Sequence, residues 1–280
     1  MAPRRLGQHF LASAAWRERI ARAVLGAAAA PQAGVNAAAA EGAAHRGDLW
    51  IEIGAGHGEM TSLLARHAGR VMAIELDDKL LPRLRQQTAA LSNVKVMAGD
   101  ILALDLAALA DEERFRVYGN LPYYITSPIV HRLLEHAERL EAAFLVVQLE
   151  VAARMMARPG RRDYGYFSAF TQFYSKPEML FRIPPGAFRP PPKVSSALVA
   201  LRLPGERVRL GVGDEAGFMR FLKMSFAQKR KTLRNNLRSV MAEERATAVL
   251  RECGIAANTR AEEMGLAQFA RLYAAIERAY

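Results

Sequence analysis

The chain has 280 residues, 51% apolar and 24% charged, which excludes a disordered or collagen-like protein and leaves room for one large α/β domain plus a smaller unit. Lysine and arginine number 39 against 28 aspartate and glutamate, a formal charge of +11 that favours a polyanionic partner such as nucleic acid. One cysteine, Cys253, excludes an internal disulfide and a cysteine-based zinc site, and the longest strongly apolar run, residues 142–147, falls far short of the ~20 residues of a membrane-spanning helix.

The N-terminal residues carry Arg4 and Arg5, then Gly7-Gln8-His9, and Arg17-Glu18-Arg19 interrupt any apolar region, so a secretory signal is not expected. Eleven of the 22 residues from 26 to 47 are alanine, a low-complexity stretch read as a surface insertion with some helix. Short apolar runs at 49–53, 71–75, 94–98, 115–119 and 142–148 then alternate with amphipathic stretches, predicting a mostly parallel sheet covered by helices. Two later strands are expected at 179–183 and 197–203, separated by a rigid proline-rich loop, 183–192. Beyond a domain boundary near residue 205 the pattern is helical, over 215–240, 244–253 and 266–279.

Directly after the first predicted strand comes Gly54-Ala55-Gly56-His57-Gly58, a turn whose glycines let the backbone bend sharply and approach a ligand. The third glycine arrives one residue too early for the dinucleotide fingerprint. The turn instead resembles the first motif of S-adenosylmethionine-dependent methyltransferases. Glu75 ends the second strand, where an acid can accept both ribose hydroxyls of an adenosine, and Asp100 follows the third, where an acid can take the adenine amino group.

The fourth strand runs into Gly119-Asn120-Leu121-Pro122-Tyr123-Tyr124. An exocyclic amine on an aromatic base is a poor nucleophile because its lone pair is delocalised into the ring. The Asn120 side-chain oxygen and the Leu121 carbonyl can accept its N–H bonds and steer that lone pair, Pro122 stiffens the loop, and the Tyr123 ring offers a stacking face. The motif resembles the Asn/Asp-Pro-Pro-Tyr signature of amino-methyltransferases, with leucine in the second place.

Together with Leu6-Gly7-Gln8-His9-Phe10-Leu11, Ala187-Phe188-Arg189-Pro190-Pro191-Pro192-Lys193-Val194 and Gln228-Lys229-Arg230-Lys231-Thr232-Leu233-Arg234-Asn235, these motifs resemble the ribosomal RNA adenine dimethyltransferase family along nearly the whole chain. The pattern is closest to its small-subunit branch. The resemblance implies a Rossmann-like α/β catalytic domain over 1–205, holding the 26–47 insertion, and a small all-helical, basic RNA-binding domain over 206–280. It implies S-adenosylmethionine as cofactor, with contacts at His9, Leu11, Gly54, Gly56, Glu75, Asp100 and Asn120, and N6,N6-dimethylation of two adjacent adenosines in the 3′-terminal hairpin of 16S rRNA during late small-subunit assembly. His9 stands where the family usually has asparagine, and one imidazole tautomer replaces only one of the amide's two hydrogen bonds. Phe188 is expected to form an aromatic sandwich with Tyr123.

Seven basic residues and no acid lie between 220 and 240: Arg220, Lys223, Lys229, Arg230, Lys231, Arg234 and Arg238. On one helix, 230, 234 and 238 share a face suited to phosphates. Arg154, Arg158, Arg161 and Arg162 form a second cluster, expected near the catalytic face. The expected partner is 16S rRNA in the small subunit or its precursor, engaged by a monomer without metal or membrane. The resemblance starts by residue 4, leaving little sequence for a targeting peptide, so bacterial cytoplasm is expected. Two other readings stand beside this one: a large-subunit rRNA methyltransferase of the macrolide-resistance type, and a non-catalytic ribosome-assembly factor.

Overall fold

The computed structural model describes residues 9–29, 48–111, 113–228, 231–238 and 241–278. The chain divides into two compact units, one of Met1–Ala152 with Glu178–Leu203, the other of Ala153–Pro177 with Pro204–Tyr280.

The first unit is an α/β sheet. Its strands are β1 (Phe10–Leu11), β2 (Leu49–Ile53), β3 (Arg70–Glu75), β4 (Val94–Ala98), β5 (Phe115–Asn120), β6 (Leu140–Gln148), β7 (Lys176–Ile183), β8 (Phe188–Arg189) and β9 (Ser196–Arg202). Helices α1 (Ala14–Ala29), α2 (Glu59–Ala65), α3 (Leu81–Thr88), α4 (Leu106–Leu109) and α5 (Thr126–Leu134) fall between the strands, and α6 (Leu149–Met155) follows β6. All five residues of β2 are buried, as an apolar run in the middle of a sheet covered on both faces must be. The seven-stranded order is β4-β3-β2-β5-β6-β9-β7, parallel from β4 to β6, with β9 antiparallel to β6.

That order decides where the site lies. From β2 the chain winds outward through β3 and β4, then returns to place β5 against the other side of β2. Connections leaving the carboxyl ends of β2 and β5 diverge, which opens a crevice there. Ile53 is in register with Gly119, so the glycine turn after β2 and Asn120 at the end of β5 are neighbours although 66 residues separate Gly54 from Asn120. A separate two-stranded ladder was not predicted from the sequence: β1 pairs antiparallel with β8, Phe10 opposite Arg189 and Leu11 opposite Phe188.

The second unit is helical, containing α7 (Tyr166–Tyr174), α8 (Arg207–Leu210), α9 (Glu215–Ser225), α10 (Leu233–Leu237), α11 (Glu243–Glu252) and α12 (Leu266–Arg278). Its composition differs from the continuous division at residue 205, because residues 153–177 belong to it. The physical reason is aromatic packing: Phe173 of α7 is fully buried in one apolar cluster with Phe218 and Phe269, its ring centroid 5.3 Å from that of Phe218.

The single helix expected over 215–240 is also corrected. Helix α9 stops at Ser225, and a new helix starts where the Thr232 hydroxyl accepts the Asn235 N–H. The Asn236 amide donates to the Ser225 carbonyl at 2.6 Å, satisfying an acceptor at the end of α9 that a continuous helix would have used internally. On either side of this break Phe218, Leu222, Leu233 and Leu237 are all fully buried, and Phe226 is partly so. Within the alanine-rich stretch, residues 26–29 complete α1 and 30–47 lie outside the described residues.

Candidate active site

Gly54 and Gly56 have φ of 70° and 59°, left-handed values that a side chain resists, and they hold the turn between β2 and α2. Glu75, 2% exposed, fastens that turn from the neighbouring strand: its carboxylate accepts the Gly56 N–H at 2.7 Å and the Asp77 N–H at 2.9 Å. Two of its roughly four acceptor positions are thereby used, leaving capacity for hydroxyl donors. Asp100 Oδ1 accepts the Leu102 N–H at 2.9 Å. An apolar cavity opens between these two acids, walled by Ile53, Leu76, Ile101 and Ile129 and flanked by Pro122 and Tyr124.

An adjoining cavity shares Gly54, Glu75 and Pro122 with it and adds His9, Phe10, Asn120, Leu121 and Tyr123. Here the Asn120 amide nitrogen donates to the His9 carbonyl at 2.9 Å. A carbonyl only accepts, so this bond fixes the amide's orientation and leaves Oδ1 as its acceptor. The Pro122 carbonyl takes the Ile125 N–H and the Thr126 hydroxyl, and the Leu121 side chain is 2% exposed, so the Leu121 carbonyl is the main-chain acceptor left beside Asn120. Tyr123 is held by a 2.9 Å hydrogen bond between its hydroxyl and that of Ser196. A third cavity, sharing Phe10, Gly54 and Asn120, is lined by Leu11, Gly56, Arg17, Glu52, Tyr118 and Arg189.

Ten of the sequence-predicted cofactor and acceptor positions therefore line one connected crevice in the first unit: His9, Leu11, Gly54, Gly56, Glu75, Asp100, Asn120, Leu121, Pro122 and Tyr123. Two side chains sit otherwise than expected. The His9 imidazole Nδ1 donates to the Pro190 carbonyl at 2.7 Å, so it is the His9 backbone, through its bond to Asn120, that serves the site. Phe188 is 1% exposed within the apolar core of the first unit and lines none of these cavities, and the ring beside Tyr123 is that of His9, 5.5 Å away. The β1–β8 ladder explains both, because pairing Leu11 with Phe188 turns the phenylalanine ring into the core and brings the strap of residues 9–12 across the crevice.

Sequence reasoning passed over Glu52. It is an acid in the centre of an otherwise apolar buried strand, a pattern that itself signals a special position. Burial is the main cause raising its pKa to about 8; Glu75 and Glu59 add to the rise and the nearby Thr61 hydroxyl opposes it. Because the folded value lies above the unfolded one, the native state binds more protons, and stability present below pH 4.5 is lost as pH rises through 8. The free protein is expected to lose a few kcal/mol over that interval, and Glu52→Gln to flatten the dependence, checked by urea unfolding across pH.

The basic residues belong to the second unit. Arg154, Arg158, Arg161 and Arg162 all fall within it, and Arg154 packs over the Phe167 ring at 5.5 Å. Arg220, Lys223, Lys231 and Arg238 are exposed, while Lys229 and Arg230 lie outside the described residues. Of the face expected for 230, 234 and 238, Arg234 lies in α10 and Arg238 caps that helix, while Arg230 is outside the described residues. Glu243, beyond the acid-free stretch, approaches Arg234 at 3.9 Å and Arg238 at 3.4 Å, and Asp214 lies 3.8 Å from Arg220.

A glycine turn at the switch point, acids after β3 and β4, and an oriented amide after β5 define a Rossmann-like methyltransferase that uses S-adenosylmethionine. The family model described as ribosomal RNA adenine dimethylase matches residues 2–278, and the chain belongs to that family. A protein of Acidobacterium capsulatum named ribosomal RNA small subunit methyltransferase A is 46% identical over 229 residues, 81% of each chain. One of the same name from Rubrobacter xylanophilus is 41% identical over 96% of this chain and 93% of its own. In fold, a dimethyladenosine transferase of Plasmodium falciparum superposes with a TM-score of 0.77 at 22% identity, covering 96% of this chain and 98% of its own. Among the described residues no helix is long and apolar enough to cross a membrane, and no cluster of His, Cys, Asp or Glu is arranged to hold a metal ion.

Proposed function

We propose that the protein dimethylates N6 of two adjacent adenosines in the 3′-terminal hairpin of small-subunit rRNA, acting as a cytoplasmic monomer late in subunit assembly. The observation that carries this reading is the Asn120 amide, oriented by the His9 carbonyl and set beside the Leu121 main chain and the Tyr123 ring.

The residues present fit the cofactor. Adenine suits the apolar cavity, with Asp100 at its rim for the exocyclic amine, and the ribose hydroxyls suit the spare acceptor positions of Glu75. When bound, S-adenosylmethionine supplies an electrophilic methyl group on a sulfonium. Asn120 Oδ1 and the Leu121 carbonyl accept the two N–H bonds of the target amine, drawing its lone pair out of conjugation and aiming it. Tyr123 stacks on the extruded base, a contact worth ~1–3 kcal/mol. No general base is needed, because the methylated nitrogen is cationic and loses its proton to water; the pocket contributes position and electrostatic match. A second transfer requires the first methyl to rotate aside, so that the remaining N–H is held by one of the two acceptors.

Arginines and lysines of the second unit contact RNA phosphates in this reading. Each such contact contributes a slope of roughly −0.7 to −0.9 to log affinity against log salt. Lys231→Ala is expected to flatten the slope by about one, whereas Arg234→Ala flattens it less, because Glu243 already neutralises part of its charge. Filter binding to small-subunit rRNA across a salt series measures both.

The function itself is tested by transfer from labelled S-adenosylmethionine to unmethylated small subunits, large subunits and free rRNA, with the modified nucleosides identified. Dimethyladenosine confined to small-subunit RNA is the expected result. Label in large-subunit RNA would overturn the substrate assignment, and tight small-subunit binding without transfer would replace the enzyme by an assembly factor.

A further inference from the structure

Tyr124 is 61% exposed, the only exposed phenylalanine, tryptophan or tyrosine among the described residues. A single apolar side chain on a surface needs no explanation, but the place of this one does. Tyr123 and Tyr124 are consecutive on the short helical turn Tyr123–Ile125 that follows β5, and the turn sends their rings to different places. Tyr123 lines the acceptor cavity with its hydroxyl tied to Ser196. Tyr124 lies outside that cavity, on the rim of the neighbouring adenosine cavity, and its ring and hydroxyl make no hydrogen bond or ring contact among the described residues. Exposed apolar surface gathers here: of four exposed large apolar side chains, Leu76 and Tyr124 line the adenosine cavity, and Val194 stands two residues before the serine that holds Tyr123.

The adenosine cavity is walled without Tyr124, by Ile53, Leu76, Ile101, Ile129 and Pro122, so a purine can be enclosed there by aliphatic groups alone. A ring with open faces beside a pocket for an extruded base suits a second base instead. Extruding an adenosine onto Tyr123 also leaves the next base in the strand without a stacking partner on one side. Both of two adjacent adenosines are substrates, so in each round that neighbour is a purine, and after the first round it carries two N6-methyl groups. Stacking uses the face of a base and not its N6 hydrogens, and a platform without a committed hydrogen bond accepts either form.

Resting on the acceptor reading above, we propose that Tyr124 is a specificity-determining residue that stacks on the base adjacent to the adenosine being methylated. Two consecutive rings then serve two consecutive nucleotides. The target is held by its edge at Asn120 and Leu121 and by its face at Tyr123; the neighbour is held by its face alone. This division favours a pair of adjacent purines over an isolated adenosine, and lets one acceptor pocket serve both members of the pair in turn.

The test is steady-state methyl transfer by the full chain to three kinds of unmethylated small subunit, with both adenosines present or with one or the other replaced by uridine, together with calorimetry using S-adenosylhomocysteine. With both adenosines present, Tyr124→Ala is expected to raise KM about five- to thirtyfold, the loss of one base–aromatic stack, and to act on KM more than on kcat. On the single-adenosine subunits the same substitution should cost less than about threefold, because the stacking partner is already diminished. S-adenosylhomocysteine affinity should stay within about twofold, since the aliphatic walls of its cavity are intact. Tyr124→Phe should restore KM and Tyr124→Leu should not, because leucine supplies bulk without an aromatic face. An unchanged KM in Tyr124→Ala overturns the assignment, and so does equal rescue by leucine, which would make the ring an apolar wall. An equal effect on all three subunits places Tyr124 against something other than the neighbouring base, and a parallel loss of S-adenosylhomocysteine affinity gives the ring to the cofactor; either result overturns the platform. Failure of the unaltered protein to methylate subunits with both adenosines overturns the acceptor reading itself, and this inference with it.

Discussion

Asn120→Ala is expected to lower the rate of methyl transfer by roughly 10²–10³-fold, the range for removing one preorganised hydrogen-bonding group from a transition state. The side chain does two things at once: its nitrogen holds the His9 carbonyl and its oxygen accepts from the target amine. Alanine removes both, whereas the ground-state contacts of the adenosine, at Glu75 and Asp100, are untouched. S-adenosylhomocysteine affinity should therefore change by less than about threefold, and the loss should fall on the chemical step rather than on binding. Asn120→Asp keeps an acceptor but sets a carboxylate against the His9 carbonyl, so its rate should lie between those of alanine and the unaltered protein. Single-turnover transfer to small subunits, together with calorimetric affinity, measures the two parts. A tenfold loss of cofactor affinity with an unchanged chemical rate would show Asn120 to be a cofactor contact only.

Phe188→Ala is expected to cost about 3–5 kcal/mol of stability, the usual range for deleting a buried phenylalanine. Its ring is 1% exposed in the cluster that includes Trp50, Phe144 and Leu198, and its strand is the partner of Leu11. A cavity there removes packing from the sheet and loosens the ladder that carries residues 9–12 to the crevice. Thermal unfolding should shift down by roughly ten degrees, on the scaling for a unit of this size. Phe188→Leu, which refills much of the space, should recover most of that loss. Turnover in Phe188→Ala should fall together with the folded fraction. A variant as stable as the parent but slow in transfer would instead restore the base-stacking role that the sequence motif suggests.

The parts of the site legible in the sequence are those in which a short segment carries its own geometry. Glycines at 54 and 56 announce a turn because left-handed φ disfavours side chains, and Asn120-Leu121-Pro122-Tyr123 carries acceptor, stiffener and stacking ring within four residues. Alternating apolar runs and amphipathic stretches locate β2 to β6 to within two residues, since burial on both faces leaves an almost continuous apolar signature. Glu52 shows the limit of that approach. Its anomaly is visible in the strand, but its place opposite the buried Tyr118, 66 positions away, is not.

By itself, then, the sequence determined the strand ends and the chemical groups on them, because dihedral preference, hydrophobic period and side-chain chemistry are properties of neighbouring residues. Tertiary structure alone decided which distant groups meet. It joined residues 153–177 to the C-terminal helices through Phe173 and Phe218, ended α9 with an amide from Asn236, and set Glu243 beside Arg234 and Arg238. It also turned Phe188 inward by pairing its strand with Leu11, and set the His9 carbonyl on the Asn120 amide while the imidazole turned to the Pro190 carbonyl. In each case the deciding energy is burial, a hydrogen bond or an ion pair between separate elements, and no pattern within one element encodes it.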